Sequence, residues 1–124
     1  MTCLETTFLI DLLRGDQNAK LLKGGMEHLG ETVVAAPSVM EIWAEASEKQ
    51  REKINQLLES IPTLPLDEKA AKMAAEIETD LFRQGKIIQV EDIMIAAIAK
   101  VNNQTLVTRD SDYARIDGLK MLKY

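Results

Sequence analysis

The sequence predicts an α/β fold, with a central, mainly parallel sheet carrying helices on both faces. Three observations lead there. Short apolar segments of strand character alternate with amphipathic helical segments from end to end, and parallel strands of one sheet need right-handed, helix-sized crossovers. The 124 residues fall in the range of one domain that buries a core without disulfides or a structural metal. No linker, repeat or low-complexity stretch interrupts the chain, so residues 1–124 read as a single domain.

Met1 to Glu5 is short and partly apolar, and Thr7 is placed to cap a helix carrying Phe8, Leu9, Ile10, Leu12 and Leu13, stopped by Arg14-Gly15-Asp16. Asn18 to Leu29 reads as a second helix, with His28 near its end as a surface or C-cap residue. Thr32 to Ala36 reads as a buried strand ending at Pro37. Ser38 opens a helix through Ala46, and the charged stretch Glu48 to Glu59 continues helical with Ile54, Leu57 and Leu58 on one face. Ile61 to Leu66, broken by Pro62 and Pro65, is at best an edge strand. Asp67 caps a long helix to about Gln84, stopped by Gly85, and a further helix runs from Glu91 to Val101. Thr105 to Thr108 is the clearest buried strand, Ser111 to Ile116 a helical turn, and Lys120 to Tyr124 a last strand.

Cys3 is the only cysteine, which excludes an intrachain disulfide and a spaced-cysteine zinc site and reads as a small strand hydrophobe. No run reaches the roughly 18 apolar residues of a membrane span, and no basic leader precedes an apolar stretch, so a cytoplasmic protein is expected. The net charge of −5 opposes indiscriminate nucleic-acid binding. It opposes it less if several acids share one metal-neutralised cluster, leaving Arg14, Lys23, Arg109 and Arg115 to meet phosphate.

In doubly wound folds ligands bind outside the carboxyl ends of the strands. Glu5 ends the first strand, Glu41 lies in the helix turn after the second, and Asp110 follows the fourth. Asp92 opens a crossover helix that runs antiparallel to the strands, which brings its start to the same end. Four carboxylates without His or Cys select Mg²⁺ or Mn²⁺, and such a metal suits phosphodiester hydrolysis. Each acid also has a local explanation. Ser38 to Glu41 has the form of a capping box, Asp92 suits a helix dipole, Asp110 suits a turn cap, and Glu5 suits a solvated turn. Trp43 reads as packing or as part of a partner surface.

The text around the acids carries a family resemblance. Leu4 to Gly15, Pro37-Ser38-Val39-Met40-Glu41-Ile42, Asp92-Ile93-Met94-Ile95-Ala96-Ala97-Ile98-Ala99, and Leu106 to Tyr113 followed by Ile116 and Gly118-Leu119 run in the order of the four motifs of PIN-domain nucleases. They resemble the VapC-like toxins in particular. The resemblance spans residues 3–119 and implies a three-layer α/β/α PIN-like domain and a metal-dependent endoribonuclease that hydrolyses RNA. It further implies the toxin of a toxin–antitoxin pair, with an RNA substrate, a cognate antitoxin and a homodimer. By it, the catalytic and metal-binding roles fall on Glu5, Glu41, Asp92 and Asp110. Thr7 supports the first carboxylate, and Asp112 substitutes for or helps the last. Glu5 departs from the family, which has aspartate there; the extra methylene lengthens the arm by about 1.5 Å. Arg109 is either an ion-pair partner of the acids or a phosphate contact.

A second reading is a non-catalytic interaction module of the same fold, in which Glu5 marks a weakened metal site. A phosphoacceptor receiver domain fits poorly, because Glu5 stands alone where that class has adjacent acids at the first strand; separately, no Gly-rich phosphate loop of the Walker or dinucleotide type is present. For the dimer, the apolar face of the helix from Ala70 to Leu81 is the expected surface.

Overall fold

A computed structural model of the chain describes residues 1–26 and 31–124. In chain order the elements are β1 (Thr2–Leu4), α1 (Thr6–Arg14), α2 (Gln17–Met26), β2 (Thr32–Ala35), α3 (Ala36–Ala44), α4 (Glu48–Leu58), β3 (Thr63–Leu64), α5 (Glu68–Arg83), α6 (Val90–Val101), β4 (Thr105–Thr108), a 3₁₀ turn (Ser111–Arg115) and β5 (Met121–Lys123). The five strands form one sheet in the order β3-β2-β1-β4-β5, and every pair is parallel. The expected mainly parallel sheet is therefore wholly parallel.

The strands follow a period of two. Cys3, Val33, Ala35 and Leu106 point to one face, into a core with Ile77 and Leu81 of α5 and Ile95 and Ile98 of α6. Leu4, Val34 and Val107 point to the other, where Phe8 and Leu9 of α1, Ile42 of α3 and Ile54 of α4 cover them. These two cores define the three layers. Cys3 is fully buried, and burial pushes its thiol up to about 12, which suits a packing residue and not a nucleophile.

Several boundaries differ from expectation for local reasons. Glu5, not Thr7, is the N-cap of α1, because its carboxylate accepts the Thr7 backbone N–H. Gly15 closes α1 in the left-handed region at φ 79°, returning its N–H to Asp11 and Leu12. The second helix ends its description at Met26; its expected reach to Leu29, and His28, lie outside the described residues. α3 begins at Ala36, two residues earlier than expected, with Pro37 in the first turn, where its missing N–H costs no hydrogen bond. The helical stretch expected to run on from Ser38 is broken at residues 45–47. There Ser47 and Gln50 form the capping box of α4, whereas Ser38 makes no cap bond. β3 is the two-residue edge strand that its flanking prolines predict, and Asp67 caps α5 as expected.

The face of α5 containing Ala70, Ile77 and Leu81 is buried against α6. The surface expected to meet a second copy is thus used within the chain. The large apolar side chains left exposed nearby are Phe82 and Ile87, at 84% and 86% exposure, with Val90 beside them.

Candidate active site

The chain's connections reverse between β1 and β4. The strands following β1 extend to one side, while β4 and β5 lie on the other. This switch point is where a doubly wound sheet opens a crevice at its carboxyl end. Glu5 follows β1 there, and its backbone N–H bonds to Val107 of β4, extending the ladder by one residue. Thr108 ends β4 beside it.

Glu5 is 2% exposed, so its carboxylate depends on protein donors. Its Oε2 accepts the Thr7 N–H at 2.7 Å, the Thr7 hydroxyl, and the Thr108 hydroxyl at 3.2 Å. Its Oε1 accepts the Tyr113 hydroxyl at 3.1 Å. The same phenol lies 3.0 Å from Oδ1 of Asp92, in the first turn of α6. Thr6 donates to Glu41 Oε1 at 2.9 Å and meets the buried Ser38 hydroxyl at 3.0 Å, so α1 holds Glu41 in place. Thr108 also accepts the Asp110 N–H at 3.0 Å, linking Glu5 to the turn after β4.

Glu5, Glu41 and Asp92 resist ionisation. Burial is the main cause in all three, and mutual repulsion adds to it: Asp92 acts on Glu5 and Glu41, and Asp110 and Asp112 act on Asp92. Hydrogen bonds from Thr7 and Tyr113 to Glu5, from Thr6 to Glu41 and from Tyr113 to Asp92 offset this in part. Glu5, Glu41, Glu91, Asp92, Asp110 and Asp112 thus share one field in which like charges repel.

The remaining expected residues fall as follows. Thr7 supports Glu5 through both its N–H and its hydroxyl. Asp110 caps the 3₁₀ turn by accepting the Asp112 N–H at 2.9 Å, so its local explanation is realised as well. Asp112 lies 3.5 Å from the Arg115 guanidinium. Arg109 pairs with Asp11 of α1 at 2.8 Å and not with the site acids. Tyr124 donates to the same Asp11 oxygen at 2.6 Å and packs edge-on against Phe8. Burial opposes ionisation of Asp11, but the hydrogen bonds from Arg109 and Tyr124 outweigh it and lower its pKa. Of the four cations expected to meet phosphate, Arg109 and Arg115 are therefore engaged with carboxylates. Trp43 is half-buried, and the Arg51 guanidinium stacks 4.7 Å above its ring.

Sequence reasoning missed Thr6, Thr108 and Tyr113. Tyr113 lies among charged residues, Asp110 to Asp117, so its full burial, and with it the need of its hydroxyl for a partner, shows only in the fold. The two threonines had no readable signal either, because only the folded sheet shows which hydroxyls face the acids.

All-oxygen donors with excess negative charge fit a hard divalent cation in type and charge. Among the described residues, no three of the acids close on a common point as they stand.

The architecture and the acids at its switch point define a parallel α/β domain with a carboxylate site. The family profile described as PIN domain matches residues 2–119, and the chain belongs to that family. The chain is 38% identical over 56 residues to Ribonuclease VapC5 of Mycobacterium tuberculosis, a match covering 45% of this chain and 42% of that protein. It is 28% identical over 95 residues to Ribonuclease VapC3 of Methanocaldococcus jannaschii, covering 77% and 94%. Its distant homologues are thus VapC ribonucleases. In structure it resembles VapBC2 from Rickettsia felis, solved bound to a DNA fragment from its promoter. The TM-score is 0.91 at 19% identity, over 99% of this chain and 98% of that one, a likeness of fold.

Proposed function

We propose that the chain is a divalent-metal-dependent endoribonuclease of the VapC type and the toxin of a toxin–antitoxin pair. The observation that carries this reading is the set Glu5, Glu41 and Asp92, drawn from three distant segments, each held by hydroxyls and each left short of positive charge by burial and repulsion. Glu5, Glu41, Asp92 and Asp110 would hold Mg²⁺ or Mn²⁺. When bound, the metal supplies an activated water and stabilises charge on the phosphate oxygens. Thr7 and Thr108 fix Oε2 of Glu5, Thr6 fixes Oε1 of Glu41, and the buried strand ends keep bulk water from the inner side of the site.

RNA is the proposed substrate and a cognate antitoxin the proposed inhibitor, with a basic side chain facing the acids. A homodimer and a cytoplasmic setting belong to the same reading; among the described residues no helix is long and apolar enough to cross a membrane. The second reading, a non-catalytic module, is favoured by two observations. Both Glu5 oxygens already have protein donors, and among the described residues no three acids converge on a common point.

The test is incubation of the purified protein with a structured RNA and Mg²⁺ or Mn²⁺, with and without EDTA, alongside Asp92→Asn. EDTA-sensitive fragments that vanish in Asp92→Asn, with stability changed by no more than about 1 kcal/mol, support the nuclease. Retained cleavage in a less stable Asp92→Asn would reduce Asp92 to a dipole partner, and no cleavage by the wild type at high concentration favours the module.

A further inference from the structure

We infer that Tyr113 is a positioning residue for the acid site, its hydroxyl setting the spacing between Glu5 and Asp92 and thereby the affinity for the divalent cation. This rests on the metal-dependent reading above. Three observations carry it. First, the Tyr113 side chain is fully buried in the core on the α6 side of the sheet, so packing, not the acids, fixes where its phenolic oxygen stands. Second, that oxygen meets Glu5 Oε1 at 3.1 Å and Asp92 Oδ1 at 3.0 Å, joining the end of β1 to the first turn of α6. Third, the donors to Glu5 divide by atom. Thr7 and Thr108 hold Oε2, and the hydrogen bond to Oε1 comes from Tyr113. The long glutamate arm is thereby pinned at both oxygens, and losing the bond to Oε1 loosens the orientation of a carboxylate then held on one side alone.

A donor to a ligating carboxylate orients it and tunes its affinity, and loss of such a partner typically costs about 10–100-fold in metal affinity or activity. Tyr113→Phe keeps the ring and removes the hydroxyl. Calorimetric titration of the purified chain with MnCl₂ should give a Kd weaker by about 10–100-fold in the variant. The melting temperature in EDTA serves as the control for folding. A variant that melts lower in EDTA but binds Mn²⁺ with an unchanged Kd has lost only a structural bond, and the inference falls.

Glu5→Asp draws the carboxylate back from Tyr113. Adding Tyr113→Phe to Glu5→Asp should therefore weaken Mn²⁺ binding much less than it does alone; equal effects in both backgrounds would overturn the claim that Tyr113 acts through Glu5. A third readout avoids replacing Tyr113 at all. In Tyr124→Phe it is the only tyrosine, and Mn²⁺ should perturb its near-ultraviolet difference spectrum; a silent spectrum while Mn²⁺ binds counts against the inference. A wild-type chain that binds no Mn²⁺ overturns both this inference and the metal reading, whereas binding that is indifferent to Tyr113 overturns this one alone.

Discussion

Replacing Glu5 by glutamine separates its two roles, as cap of α1 and as acid of the site. The amide preserves the shape. Its carbonyl still accepts from Thr7, and its NH₂ meets the Tyr113 oxygen, leaving the phenolic proton for Asp92. Loss of the charge removes a favourable term at the helix N-terminus, worth about 0.3–1 kcal/mol. It also removes a buried charge among like charges. The raised pKa of Glu5, caused chiefly by burial, decides between these effects: the folded protein disfavours the ionised form even with its hydrogen bonds made. Glu5→Gln should therefore melt in EDTA at or above the wild-type temperature. With Mn²⁺ at about a hundred times its Kd, the wild type gains about 2.7 kcal/mol. For 124 residues at about 2.1 cal/mol/K each, that is a rise of about 10 °C. Glu5→Gln should lose most of this rise in a thermal-shift assay. A variant that keeps the full Mn²⁺ shift, or melts well below the wild type in EDTA, would refute the reasoning and leave Glu5 a structural cap.

Two further outcomes follow from the same electrostatics. Glu5, Glu41 and Asp92 have pKa values raised above the ordinary 4.5 and 3.8 by burial and repulsion, so the stability tied to their protonated forms is full below those values and lost as pH rises through the folded ones. Melting in EDTA should therefore decline as pH rises from 4.5, and Mn²⁺ should flatten the decline; identical profiles with and without metal would contradict it. Asp11 has the opposite sign, its contribution being lost as pH falls below the ordinary range, which limits the gain at the acid end. Tyr124→Phe removes the bond to Asp11 but keeps the ring on Phe8, so urea unfolding should register a loss of about 1 kcal/mol with cleavage unchanged. No loss would mean that the bond is matched by water.

The alternation of apolar and helical segments was enough to predict the parallel sheet, because a helix-sized crossover leaves little choice of strand direction. It did not predict the strand order, which places β1 between β2 and β4, since short strands such as Thr2–Leu4 carry no partner preference. Glu41 illustrates the limits of local text. Ser38-Val39-Met40-Glu41 reads as a capping box, yet the helix starts two residues earlier, and both side chains turn to Thr6 of a different helix. Arg109 beside Asp110 looks like a site residue, but Asp11, one turn into α1, captures it. Strand ends and family motifs pointed to the acids and to Thr7; the other hydroxyls that orient them, from Thr6, Thr108 and Tyr113, come from segments that are remote in the chain.

β1 is synthesised first, but its partner β4 arrives about a hundred residues later, and the bond from Thr108 to Glu5 spans 103 positions. Pairings of such long sequence separation are entropically costly to close and tend to form late and cooperatively. A growing chain that has exposed Glu5, Glu41 and Asp92 already has β2 to pair with β1 but still lacks β4 on its other side, and it has no Thr108 or Tyr113 to orient its acids. On the ribonuclease reading proposed above, the order of synthesis would itself be a safeguard: the nascent chain would lack its oriented acids until nearly all of it has emerged.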